Sequence, residues 1–127
     1  MWVKSSLRQE VRKRGYKRTI ALGAIAAGAM VQYDRNHADI QPGIKQYGAY
    51  NSITIMNLST SVNLRINLDF APEKLYIVPV GTTISVDEIT FQEFDVTNLS
   101  AADALAVNEA WITVAWEPPL KRDRMVS

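Results

Sequence analysis

Apolar and polar residues alternate without a break from Val62 to Phe70. Val62, Leu64, Ile66, Leu68 and Phe70 are apolar, and Asn63, Arg65, Asn67 and Asp69 are polar. Successive side chains of a strand point to opposite faces, so the pattern predicts a strand with one buried face and one wet face. Similar segments surround it. Ser52 to about Leu58 reads as a strand, and so does Leu75–Val78, where Pro79 marks an edge or an end. Thr83–Val86 and Ile89–Phe91 are strand-like pieces interrupted at Asp87-Glu88. Phe94 and Val96 alternate with Asp95 and Thr97, which assigns Glu93 and Asp95 to a solvated face. Trp111–Trp116 is the last strand, stopped by Pro118-Pro119. Its two tryptophans are an odd number of residues apart and face opposite ways, so one of them meets either a partner or a covering loop. Turns are expected at Ala71-Pro72-Glu73 and Val80-Gly81-Thr82, and a loop or single helical turn over Asn98–Asn108.

Six to eight short strands, frequent turns and no long helix between them predict two packed antiparallel sheets. The expected fold is a β-sandwich of jelly-roll or immunoglobulin-like type over residues 51–118.

The first third of the chain has a different rhythm. Ser6-Leu7-Arg8-Gln9 fits a capping box and Gly15 a helix stop, which predicts a short basic helix over residues 6–14. Thr19 to Tyr33 carries no formal charge and is rich in Ala and Gly. As a helix it would span about 22 Å, short of the ~30 Å hydrocarbon core of a bilayer. Gly23 with Ala27, and Ala24 with Gly28, give small-residue spacings that favour close packing. Residues 1–29 imitate a signal peptide, ending in Ala27-Gly28-Ala29, but an uncleaved segment is the expectation. The predicted organisation is an arm or anchor over residues 1–33, a linker over 34–50 with a turn at Gln41-Pro42-Gly43, the sandwich, and a basic tail over 119–127.

Charge sharpens that division. The 127 residues carry a net charge of only +1. Residues 1–18 nevertheless hold seven basic side chains against Glu10, and residues 40–117 hold nine acidic against three basic. A cationic front end on an acidic body suggests that the arm of one copy docks on the body of another, on lipid, or on nucleic acid. The residues expected to carry that contact are Trp2, Arg8, Arg12, Lys13, Arg14, Lys17, Arg18, Gly23, Ala27 and Gly28.

Signs of catalysis are sparse. There is no cysteine and a single histidine, His37, so thiolate chemistry and Cys/His zinc sites are excluded. His37 lies in a polar loop with no nucleophile elbow in the chain, and is read as an exposed loop residue. Asp34, Asn36 and Asp39 offer oxygen ligands, but the calcium-loop pattern fails at Asp39 and Lys45. No Gly-rich phosphate loop occurs. Asn57-Leu58-Ser59 and Asn98-Leu99-Ser100 match the glycosylation sequon, as chance alone allows in an Asn/Ser/Thr-rich chain. No cofactor, metal or small-molecule substrate is expected.

In style, Ile53-Thr54-Ile55-Met56-Asn57-Leu58-Ser59, Pro79-Val80-Gly81-Thr82-Thr83 and Trp111-Ile112-Thr113-Val114-Ala115-Trp116-Glu117 resemble the small β-sandwich structural proteins of viruses and phages. The resemblance covers about half the chain. It implies a symmetric homo-oligomer in a larger shell or tube, without an active site. The leading expectation is a virion structural subunit whose arm over residues 1–33 locks it to neighbours, membrane or genome. The alternatives are a membrane-anchored surface or pilus-like protein, and a nucleic-acid-binding structural protein acting through the basic arm.

Overall fold

The computed structural model describes residues 15–118. In chain order the elements are β1 (Tyr16–Ala21), β2 (Met30–Tyr33), α1 (Gln41–Tyr47), β3 (Tyr50–Asn57), β4 (Leu64–Leu68), β5 (Leu75–Val78), β6 (Thr83–Phe91), β7 (Phe94–Asn98) and β8 (Ala110–Trp116). Every strand pairing is antiparallel. Sheet 1 has the order β1-β8-β3-β6 and sheet 2 the order β2-β7-β4-β5. Ile20, Ile53, Ile55, Ile112 and Val114 from sheet 1 and Leu64, Ile66, Leu68, Phe94 and Val96 from sheet 2 join one buried core. The expectation of a mainly β sandwich with two antiparallel sheets holds.

The expected division at residue 33 does not hold. Residues 16–33 are part of the sandwich, not an arm or an apolar helix. β1 pairs along its length with β8, and β2 with β7. Ile20, Leu22, Ile25 and Tyr33 are core residues, and Ile25 bridges to Leu105. Alternation was present here as Ile20 and Leu22 between Thr19, Ala21 and Gly23, but the Ala/Gly content masked it. Gly23, Ala27 and Gly28 lie exposed in the β1–β2 connection, so their spacing reflects a loop and no helix packing. Ala29 N–H closes a turn on Ala26 O at 3.0 Å, with Gly28 at φ +72° supplying the left-handed position. The predicted helix over residues 6–14 and the residues Trp2, Arg8, Arg12, Lys13 and Arg14 lie outside the described residues.

The expected linker of residues 34–50 also contains a helix, α1, where Gln41-Pro42-Gly43 predicts only a turn. Pro42 sits in the first turn of α1, where it lacks only a hydrogen bond the helix does not make, and Gly48 ends the helix in a left-handed conformation. Gly43 is required by packing, because a Cβ there would overlap the Tyr50 ring. The buried Tyr50 hydroxyl donates to Ile40 O, which pins the start of the helix to β3.

Two strand limits differ from the expectation. The alternation through Phe70 ends at Leu68, because Asp69 and Phe70 both take positive φ and Phe70 turns out to solvent. Asp69 drives this bend. Its carboxylate accepts from Gln92 N–H (2.7 Å), Glu93 N–H (3.3 Å) and Lys74 Nζ (3.2 Å). β6 runs through Asp87-Glu88 instead of breaking there, and absorbs the irregularity as a register shift opposite Tyr50–Ser52.

The strand order contains an internal symmetry. Adding four to each strand number converts β1-β8-β3-β6 into β5-β4-β7-β2, which is sheet 2 read backwards. The two Asn-Leu-Ser motifs occupy equivalent corners under this operation, at the ends of β3 and β7. Asn57 Nδ2 donates to Val62 O and Val78 O, its Oδ1 accepts from Ser59 N–H, and Ser59 Oγ accepts from Ser61 and Val62 N–H. Asn98 Nδ2 donates to Ile25 O and Asp103 O, its Oδ1 accepts from Ser100 N–H, and Ser100 Oγ accepts from Ala102 and Asp103 N–H. Each corner needs an amide to hold carbonyls and a hydroxyl two residues later to turn the chain between sheets.

Candidate interaction surfaces

The sandwich presents two outer faces with different chemistry. On sheet 1 the outward rows follow from the strand register. One row crosses all four strands as Thr19, Thr113, Thr54 and Ser85. Its hydroxyls bond in pairs, Thr19 with Thr113 and Thr54 with Ser85, each at 3.0 Å. The next row is Lys17, Ala115, Ser52 and Asp87, where Ser52 Oγ donates to Asp87 at 2.7 Å. Met56 and Trp111 occupy the remaining row and, with the threonines, line a shallow groove of about 220 Å³. Trp111 Nε1–H donates to Asn108 O at 3.1 Å. Trp116 faces the other way and stacks on Tyr47 of α1 at 4.6 Å. The expected opposition of the two tryptophans is present, with Trp111 outward and Trp116 covered by the helix.

On sheet 2 one outward row is Met30, Thr97, Arg65 and Ile77, and the next is Gln32, Asp95, Asn67 and Leu75. Met30 and Ile77 are each 50% exposed and Leu75 44%. Between them the polar residues are covered by their neighbours, so that Asp95 is only 5% and Thr97 only 8% exposed. The reading of Asp95 as a solvated face residue is thereby corrected. Central strands of a sheet lose water to the long side chains on either side.

The coverage leaves hydrogen bonds unmade. Arg65 Nε, Asn67 Oδ1 and Thr97 Oγ1 are the buried side-chain polar atoms without a partner among the described residues, and all three lie on this face. Burial raises the Asp95 pKa from its ordinary value, and the Arg65 guanidinium opposes that rise only in part. An unpartnered buried donor or acceptor costs about 1–3 kcal/mol. Three of them on one apolar-edged face form a polar set without a counterpart.

These residues were missed because polar positions of an alternating strand read as wet. A signal was available in Leu75-Tyr76-Ile77-Val78 and in Met30-Val31. Apolar residues on both parities are the pattern of strands covered on both faces.

The basic residues predicted as contacts divide into two groups. Lys17 is exposed on the sheet 1 face. Arg18 is committed to an ion pair with Asp39. Gly15 packs against Trp116 O and Pro118, so the two ends of the described residues are neighbours, beside the Tyr16–Tyr47–Trp116 rings. Residues 1–14 hold five basic side chains and one acidic, and residues 119–127 three and one. The described body between them holds six basic and eleven acidic residues. The excess of basic residues therefore lies in the sequence that flanks the described body, and the excess of acidic residues within it.

The other candidate groups are engaged locally. Asp34 Oδ1 accepts from Asn36 N–H at 2.9 Å, and His37 Nδ1 accepts from Asp39 N–H at 3.1 Å. The His37 ring is half-buried against Tyr33 at 4.7 Å. Glu93 pairs with Arg35 at 3.3 Å. Among the described residues, no group of three or more His, Asp or Glu side chains could hold a metal ion, and no helix is long and apolar enough to cross a membrane. Asn57 and Asn98 are fully buried, so neither sequon presents its amide to a glycosylating enzyme in the folded chain. A scan against known protein families finds no match to this chain, and no curated protein matches it.

Proposed function

We propose that the chain is a non-catalytic structural subunit of a symmetric assembly, with a jelly-roll body and basic flanking sequences. Support for the jelly roll comes from eight strands in two antiparallel sheets of order β1-β8-β3-β6 and β2-β7-β4-β5, related by the four-strand shift. Viral capsid subunits share that architecture, which favours a virion as the setting. This step is a fold-level analogy, since lectins and cupins also use jelly rolls. The observation that carries the subunit reading is chemical: the unpartnered buried polar atoms of the described body all lie on one face, beside Met30, Leu75 and Ile77.

The membrane-anchor alternative loses its segment, because Thr19–Tyr33 supplies strands and core residues to the sandwich. The nucleic-acid reading keeps one specific support, the closeness of Gly15 and Pro118, the described residues that border the two basic flanks of the sequence. In this reading the locking arm is residues 1–14, not 1–33. The test is the particle mass of the full chain, by native mass spectrometry and electron microscopy, beside a chain lacking residues 1–14. A closed homo-oligomer that is lost or weakened on truncation is expected. A full chain that stays monomeric at every soluble concentration overturns the proposal.

A further inference from the structure

The geometry of sheet 2 points to its occupant: we infer that the outer face of sheet 2 docks on the same face of a second copy, about a two-fold axis lying in the interface and crossing the strands. The inference rests on the subunit reading and adds to it the surface, the partner and the orientation.

The argument is one of complementary chemistry. The face carries one cation, Arg65, and one anion, Asp95, near its centre, and therefore matches itself in charge. Its unpartnered atoms include a donor, Arg65 Nε–H, an acceptor, Asn67 Oδ1, and a hydroxyl that can do either, Thr97 Oγ1. Asp95 adds a carboxylate to which no described residue donates. The register places Thr97 and Arg65 in one row, and Asp95 and Asn67 in the adjacent row two residues along the strands. A two-fold axis running between the rows exchanges them. Each β4 then lies over β4 of the second copy in the opposite direction, and each β7 over β7.

In that arrangement Arg65 faces Asn67 of the second copy, and a turn of the two half-covered side chains toward the interface brings the orphaned donor, buried in the single chain, to the orphaned acceptor. Thr97 faces Asp95 of the second copy, so the hydroxyl gains a carboxylate. Ile77 faces Leu75 of the second copy along the β5 edge, which buries two of the most exposed apolar residues of the body. Each contact occurs twice, as an isologous interface requires. A two-fold axis parallel to the strands fits less well. It sets Thr97 over Arg65 and Asp95 over Asn67, which leaves Asn67 Oδ1 without a donor. A hydrogen-bonding partner of other composition would have to supply the same donors and acceptors, whereas a second copy already contains them.

The contact is small. Four strands at a spacing of ~4.8 Å cover about 19 Å, so the buried area falls at the low end for specific interfaces. A single contact of this kind exchanges readily, and simultaneous contacts in a closed assembly hold it by effective concentration.

The test is sedimentation of the full chain over a concentration series, with two variants at exposed positions. Ile77→Lys places a charge at the edge of the proposed interface. Met56→Lys places the same charge on the outer face of sheet 1. Circular dichroism melting confirms that both fold. The expected result is self-association of the wild type, weakened about tenfold or more by Ile77→Lys and not by Met56→Lys. If the wild type associates and Ile77→Lys associates equally well, the sheet 2 interface is wrong while the subunit reading stands. If the wild type is monomeric throughout, both fall.

Discussion

The two sheets share one topology and one core, yet their outer faces are finished differently. Sheet 1 satisfies its hydroxyls within the face, Thr19 with Thr113, Thr54 with Ser85, and Ser52 donating to the Asp87 carboxylate. Sheet 2 leaves Arg65 Nε, Asn67 Oδ1 and Thr97 Oγ1 without a partner among the described residues, beneath exposed Met30, Leu75 and Ile77. A lone sandwich gains nothing from the second arrangement. The difference teaches that burial alone does not mark a settled position. Asp95 is better shielded than many core-edge residues, but the shield comes from side chains that offer it no hydrogen bond.

The bluntest way to break this comparison is to remove an edge strand from each sheet at once. Deleting residues 1–33 takes β1, β2 and four core side chains, each worth about 1.5–3 kcal/mol in burial. The sum matches the whole stability of an ordinary domain, about 5–15 kcal/mol, so this chain should be unfolded. Deleting residues 1–14 should leave the cooperative thermal transition in place. Comparison of the two by circular dichroism checks it.

The corners come next and test the likeness of the two halves. Asn57→Ala and Asn98→Ala each abandon buried carbonyls and a serine N–H, so each should cost about 3 kcal/mol, with similar values for both. Denaturant titration reads this directly. A large cost at one corner and none at the other would break the internal symmetry.

Opposite signs are expected from a matched pair on the two faces. Thr97→Val removes a buried hydroxyl without a partner and should stabilise the dilute chain by about 1 kcal/mol. Thr113→Val breaks the bond to Thr19 and should destabilise by about 0.5 kcal/mol. In the assembly the Thr97→Val effect alone should reverse, because there Thr97 gains its acceptor and Thr113 keeps its bond to Thr19.

The smallest effect concerns pH. Burial raises the folded pKa of Asp95 above its unfolded value near 3.8. The folded chain therefore binds this proton more tightly than the unfolded chain does. The contribution is favourable below the unfolded pKa and is lost as pH rises through the raised folded value. Asp95→Asn should remove that part of the pH dependence in unfolding measured from pH 3 upward, and should slightly stabilise the dilute chain at neutral pH.

Much of the sandwich was legible as a period of two. The strands around Leu64–Leu68, Phe94–Asn98 and Trp111–Trp116 followed from alternation, which depends only on which side of a pleated strand meets the core. β1 and β2 were hidden because Ala and Gly fill their connection and carry no period. Asp69 ended β4 through hydrogen bonds to Gln92 and Glu93, contacts that lie far along the chain and leave no local mark. The candidate face was illegible for a related reason. Whether Asp95 is wet depends on Gln32, Asn67 and the residues beside them, brought together by pairing of β2, β7 and β4 from three separate stretches. The two Asn-Leu-Ser repeats were visible but looked accidental until their strands occupied equivalent corners.

The most direct measurement of the central claim uses the absence of cysteine from the chain. Ile77→Cys and Met56→Cys each introduce one exposed thiol, on sheet 2 and on sheet 1 respectively. Across the inferred two-fold axis, the two copies of position 77 come within about 12 Å, set by the ~10 Å spacing of packed sheets and a two-residue offset. Treated with a bis-maleimide of about that span, the Ile77→Cys chain should give a covalent dimer and the Met56→Cys chain should not. Equal cross-linking of both, or none from position 77 in a self-associating chain, would contradict the account.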